Sequence, residues 1–342
     1  MKRAKIVSPG RIIIEDVEIP AIRRDEVLIN VKYCGICGTD IHAYYGKHPF
    51  ISLPVVPGHE CSGVITDVIK ETDKESFYIG QKVTIIPQIT CGRCYNCRNG
   101  RYNICDNLKV IGCQTDGALA EYFSVRSDLV IPLPDELSLE EGALVEPLAV
   151  AIHAIKRGDL KIGDNVVILG AGTIGLLILQ CAKAAGAKDI IITDIYDSRL
   201  ELAKKLGADY TINSLKSNVI NTILEKSGKN GIDITFECAG TEATINQAIQ
   251  IARKGTRIVV IGVFEKDVSV KIGLVQDREL ELVGSLMYMK EDFYGAINMM
   301  IKGMVKVQPL ISRIYSIDEV ASAFEFASTQ KEKAVKVLIK PS

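Results

Sequence analysis

Apolar and polar positions alternate with a period of two along the first part of the chain. The pattern is clearest in Arg11-Ile12-Ile13-Ile14-Glu15 and Glu26-Val27-Leu28-Ile29-Asn30-Val31-Lys32, which Pro9-Gly10 and Pro20 separate. Such alternation between turn signals predicts half-buried β-strands. It recurs at residues 64–69, 81–87 and 118–125, while Pro49, Pro54 and Pro57 forbid regular structure in the intervening loop. Residues 1–149 are therefore expected to form a mostly β domain. Within it the strand at 26–32 is expected to run into Cys34-Gly35-Ile36-Cys37-Gly38-Thr39-Asp40-Ile41-His42, where the glycines break it and a helix begins near Thr39 or Asp40.

From about residue 150 the period changes. Asn165-Val166-Val167-Ile168-Leu169 is a buried strand, Gly170-Ala171-Gly172-Thr173-Ile174-Gly175 a glycine turn, and residues 176–185 carry helical apolar spacing. Strand, turn and helix in that order are the dinucleotide-binding fingerprint. A second strand, Ile190-Ile191-Ile192-Thr193-Asp194, ends in an acid placed to bond a ribose 2′-hydroxyl. Further strands at 232–236, 257–262 and 281–285, with helical stretches between them, predict a doubly wound parallel sheet over residues 150–285. The remaining residues, 286–342, carry a helix at 292–302 and a strand in Ala334-Val335-Lys336-Val337-Leu338-Ile339 that returns to the first domain. The expected fold class is α/β, a Rossmann domain joined to a mostly β domain. Gly170, Gly172, Ile174 and Gly175 would border the dinucleotide. A carboxylate at Asp194 would repel a 2′-phosphate, which favours NAD over NADP. Arg199, five residues on, could compensate such a phosphate but is read as lining the adenine pocket.

Composition narrows the function. A chain of 342 residues with 47% hydrophobic positions is long enough for two cores. Its formal net charge is −1, with positive and negative residues interspersed, which argues against a nucleic-acid partner. Residues 1–20 are studded with charge and no apolar run reaches membrane-spanning length, so a cytoplasmic protein without a membrane partner is expected. Four of the ten cysteines fall at positions 91, 94, 97 and 105, which points to metal and away from disulfides.

Two candidate metal centres follow. Cys91, Cys94, Cys97 and Cys105, in a loop rich in Gly, Asn and Arg, fit a closed tetrahedral Cys₄ zinc site, with an iron–sulfur cluster as the rival. Cys37, His59 and Glu60 supply one thiolate, one imidazole and one carboxylate, the ligand types of a catalytic zinc that keeps a position open. A Gly-His-Glu in isolation is more often a loop with a hydrogen-bonded histidine. Glu146 stands in an apolar run, Val145-Glu146-Pro147-Leu148-Ala149, where a carboxylate needs a partner such as that zinc. Thr39 and His42 lie three apart, on one face of a helical turn, and suit proton transfer; the alternative is a helix cap and a surface histidine.

These motifs resemble those of the zinc-containing medium-chain dehydrogenase/reductase family along nearly the whole chain. The residues that carry the likeness are Gly35-Ile36-Cys37-Gly38-Thr39-Asp40-Ile41-His42, Gly58-His59-Glu60 with Gly63, the four loop cysteines, Glu146-Pro147-Leu148-Ala149 and the glycine turn. The resemblance implies a GroES-like first domain, NAD, one catalytic and one structural zinc, and a homotetramer or dimer. It implies that Cys37, His59 and Glu60 bind the catalytic zinc, that Glu146 binds or exchanges with it, and that Thr39 and His42 relay a proton. An acid at 146, where the family's alcohol dehydrogenases place cysteine, points to the polyol branch. Met287 before Tyr288 departs from the Arg-Tyr pair of sorbitol dehydrogenases, and Ala43 stands where those enzymes often carry tyrosine. The expected substrate is a small alcohol or polyol oxidised at a secondary hydroxyl. The alternatives are L-threonine 3-dehydrogenase, a sugar-acid dehydrogenase, or a catalytically inactive zinc-binding structural protein.

Overall fold

The alternating runs become strands in the computed structural model, which describes residues 1–69, 77–228 and 231–342. The chain divides into two units. One comprises 1–146, 289–297 and 310–342, and the other 147–288 and 298–309.

The first unit is built on a seven-stranded sheet. Its path runs Ile311–Ser316, Lys336–Lys340, Glu26–Ile36, Glu60–Val68, Lys82–Ile85, Val130–Pro132, with Tyr122–Arg126 also paired to Glu26–Ile36. Ile6, Val31, Ile65, Ile85, Leu119 and Phe324 are shut away from solvent in its core. Each such side chain contributes roughly 1.5–3 kcal/mol of burial free energy. The strand passes through Gly35, which pairs with Glu60, and breaks only after Ile36, ahead of the helix that starts at Gly38. One expectation is corrected here: the stretch 118–125 is not strand throughout. The N–H groups of Gly117, Ala118 and Leu119 donate to Val56, Gly58 and Pro57 (2.7, 2.9 and 3.0 Å), so they tether the proline-rich loop, and regular strand begins at Tyr122.

The second unit is a six-stranded sheet in which every neighbouring pair is parallel. The order is Tyr210–Asn213, Asp189–Asp194, Asn165–Leu169, Ile234–Glu237, Arg257–Val260, Glu281–Gly284. Val166 to Leu169 are completely buried, as a central parallel strand covered on both faces requires. The order reverses between Asn165–Leu169 and Ile234–Glu237, which puts the binding crevice beyond the carboxyl ends of those strands.

Candidate active site

Strand Glu26–Ile36 delivers Cys37 to the N-cap of the short helix Gly38–Tyr44, where the Asp40 Oδ2 accepts the Cys37 N–H at 2.8 Å. Strand Glu60–Val68 starts at Glu60, immediately after His59. Gly58 makes the close approach possible. Its φ is +101°, and a Cβ there would lie 2.6 Å from the Cys34 Sγ and 2.8 Å from the Leu119 N. Gly35 leaves room for the Glu60 carboxylate, since a Cβ at 35 would fall 2.1 Å from its Oε2. The result is that one ligand atom each from Cys37, His59 and Glu60 lie within 4.8 Å of one another. His59 and Glu60 are buried and Cys37 is half-buried.

Three residues that sequence reasoning missed, Asp40, Cys113 and Lys336, complete this arrangement. Asp40 Oδ1 stands 3.7 Å from His59 Nδ1, and both are buried atoms without a hydrogen-bond partner. That orientation assigns Nδ1 to the carboxylate and leaves Nε2 for a metal, the carboxylate–histidine pairing of zinc sites. Burial disfavours a charged His59, but Asp40 and the thiols of Cys113 and Cys37 more than offset it and push the pKa well up. A pocket that draws a proton onto its imidazole welcomes positive charge, which a divalent cation supplies in the proton's place. Lys336 is the third residue. Only 2% exposed, it donates to Glu60 Oε1 and Oε2 at 2.7 and 2.5 Å and to the Ile36 carbonyl at 3.2 Å. A lysine in an alternating terminal strand reads as solvent-facing; a hydrogen-bonding carboxylate brought in from residue 60 is what allows its burial.

The other candidates are placed as follows. Glu146 lies buried in the first turn of helix Val145–Gly158, and its charge helps to raise the Lys336 pKa, but it does not belong to the set within 4.8 Å. Thr39 and His42 are both half-buried on helix Gly38–Tyr44.

Cys91, Cys94, Cys97 and Cys105 form the second such set. Cys105 Sγ is 3.5 Å from Cys91 Sγ and 3.9 Å from Cys94 Sγ. A tetrahedron with Zn–S bonds of about 2.3 Å has edges of about 3.8 Å, so the donors already have the size of the site. Backbone N–H groups of Cys94 and Cys97 donate to the Cys91 and Cys94 sulfurs at 3.4 Å. The Arg93 and Cys94 amides bring Cys91 down to about 6, while burial and the neighbouring sulfurs push Cys97 up to about 12, so the cluster does not hold four thiolates without a cation.

In the second unit Gly170 turns the chain at φ +108°, and Gly175 packs so tightly that a Cβ would sit 1.9 Å from the Gly170 carbonyl oxygen. Gly172 caps helix Thr173–Ala184, whose first turn holds Ile174. Asp194 ends its strand 9% exposed, with Oδ2 accepting from Ala171 N–H (2.8 Å) and Oδ1 from Ile195 and Tyr196 N–H (2.8 and 3.0 Å). Of about four lone-pair sites on a carboxylate, three are thereby used within the fold. Arg199 Nη1 is 3.8 Å from Asp194 Oδ2, and its guanidinium lies over the Tyr196 ring.

Two family models match the chain: the alcohol dehydrogenase GroES-like domain over residues 23–135 and the zinc-binding dehydrogenase over residues 173–302. Sorbitol dehydrogenase of Bacillus subtilis (strain 168) is 35% identical, across 100% of this chain and 98% of its own length. An Escherichia coli oxidoreductase/dehydrogenase of unknown specificity superposes with a TM-score of 0.94 at 34% identity, covering 100% of this chain and 99% of that one. The 2R,3R-butanediol dehydrogenase from Bacillus subtilis superposes with a TM-score of 0.91 at 32% identity, again over 100% and 99%. The chain belongs to the zinc-containing medium-chain dehydrogenase/reductase family, in its polyol dehydrogenase branch, and is an oxidoreductase.

Proposed function

We propose that this chain interconverts a secondary alcohol of a diol or polyol with its ketone, using NAD and a zinc ion held by Cys37, His59 and Glu60. The observation that carries the reading is the contrast between the two donor sets. Four cysteines make a closed site, whereas the mixed Cys/His/Glu trio, with His59 and Glu60 buried and Cys37 half-buried, leaves a position for substrate. Zinc in that site supplies Lewis acidity that lowers the pKa of an alcohol, as it lowers that of water from about 15.7 to about 7.

The chain's own residues do the rest. Asp40 fixes the His59 tautomer, and Lys336 balances the Glu60 charge. The Thr39 hydroxyl takes the proton of the reacting hydroxyl and hands it to His42 on the same helical face. Glu146 either joins the zinc ligands or accepts a hydrogen bond from the substrate's second hydroxyl. Gly170, Gly172, Ile174 and Gly175 cradle the dinucleotide, and Asp194 offers its remaining lone pair to the ribose, which favours NAD.

A homo-oligomer, tetramer or dimer, fits the free edge of strand Glu281–Gly284, where Leu282 and nearby Ile272 and Leu286 are exposed. A cytoplasmic location fits the ten unpaired cysteines. The test is initial rates with NAD on 2,3-butanediol, sorbitol, xylitol, threonine, an aldonate and ethanol. A vicinal diol or polyol should lead. Best activity on ethanol would refute the diol reading, and activity confined to threonine would move the chain to the amino-acid branch.

A further inference from the structure

Three of the chain's four histidines are neighbours in the first unit. His59 is in the metal-ligand set and His42 on the helix beside it. The third, His48, is in the loop that leaves this helix and has no role so far.

That loop is held in place. The Gly46 and Lys47 N–H groups donate to the Ala43 and His42 carbonyls at 2.9 and 2.8 Å. Gln114 braces the other side, with its Oε1 accepting from Val110 N–H at 2.8 Å and its Nε2 donating to the Phe50 carbonyl at 2.9 Å. Its neighbour Cys113 lies close enough to His59 to raise the pKa of that imidazole, so one tight turn borders both His59 and the His48 loop.

The His48 ring itself is oriented. Phe50 N–H donates to Nδ1 at 3.2 Å, and the Phe50 ring stands edge-on to it with centroids 6.1 Å apart. With Nδ1 accepting, the proton of the neutral imidazole sits on Nε2. Burial, then His42, then His59 hold the His48 pKa below the usual imidazole value, so the neutral form prevails at neutral pH. Among the described residues Nε2 makes no hydrogen bond. The loop therefore presents one fixed, uncharged donor close to the imidazoles of the reaction centre.

We propose that His48 determines substrate specificity by donating from Nε2–H to the substrate hydroxyl that is not oxidised. The inference rests on the diol reading and deepens it. A neutral donor serves a hydroxyl oxygen without the counter-charge that a carboxylate needs when it leaves water, so the anchor suits uncharged diols and polyols.

The test compares unmutated protein with His48→Leu and His48→Gln on 2,3-butanediol and on 2-butanol, which lacks the second hydroxyl. Losing one neutral hydrogen bond should raise the diol KM roughly three- to tenfold, with a much smaller change in kcat. The advantage of diol over 2-butanol should shrink by that factor. His48→Gln, which keeps an N–H donor, should recover part of it. Unmutated enzyme that treats the two alcohols alike would overturn the diol reading and this anchor with it. A diol preference that survives His48→Leu intact, or a loss shared equally by both alcohols, would overturn the anchor alone.

Discussion

Replacing Lys336 with methionine removes the counter-charge of a carboxylate that is 1% exposed. The contacts are short, 2.7 and 2.5 Å to the two Glu60 oxygens, and a third bond reaches the Ile36 carbonyl at 3.2 Å. At an effective dielectric of about 20, unit charges about 2.6 Å apart attract by roughly 6 kcal/mol. The desolvation of both groups offsets much of that. What a single substitution exposes is the uncompensated buried charge, which costs roughly 3–5 kcal/mol. Lys336→Met in metal-free protein should therefore lose about that much stability in a urea titration. Zinc is a substitute counter-charge for Glu60, so the loss should fall by more than half in metal-loaded protein. The double variant Glu60→Leu/Lys336→Met should return to within about 1–2 kcal/mol of the unmutated metal-free protein, because an apolar pair of similar volume replaces a buried ion pair at little net cost. It should also bind less zinc. A loss below about 1 kcal/mol in metal-free Lys336→Met, or a double variant as unstable as the single one, would refute the view that Lys336 stabilises Glu60.

Two further outcomes follow from the other sites. Purified protein should contain two zinc ions per chain, with activity falling when the more readily chelated one is removed, whereas Cys94→Ser should lose one zinc and lower thermal stability; metal analysis and melting curves check both. Asp194→Ala should weaken NAD binding roughly tenfold or more while affecting NADP less, and it should also lower stability, because three backbone amides lose their acceptor; calorimetric titration with both cofactors decides, and equal affinity of the unmutated protein for the two would contradict the role of Asp194.

The parts of the fold legible in the sequence are those whose physics is local. The glycine turn and the four-cysteine run bring their groups together within a single turn or loop, so spacing alone points to the structure. The glycine at 35 was legible only as a breaker, because its actual use, space for the carboxylate of Glu60 on the neighbouring strand, depends on the pairing of Gly35 with Glu60. Asp40 lies in plain view beside Cys37, yet its second oxygen matters only once residue 59 has arrived. Lys336 lies farthest from its partner, 276 residues away from Glu60 in sequence.

That distance has a consequence for how the site is built. The terminal strand Lys336–Lys340 pairs antiparallel with Glu26–Ile36 in a register that sets Val337 opposite Ile36, so the preceding residue, Lys336, falls beside Cys37 and Glu60. A slip of one residue would turn the lysine to the other face of the sheet and leave Glu60 without its cation. The Cys37/His59/Glu60 trio comes from residues 37–60, but Glu60 gains its cation only when Lys336 has docked. Correct docking of that strand is therefore favoured electrostatically by the carboxylate proposed as a metal ligand.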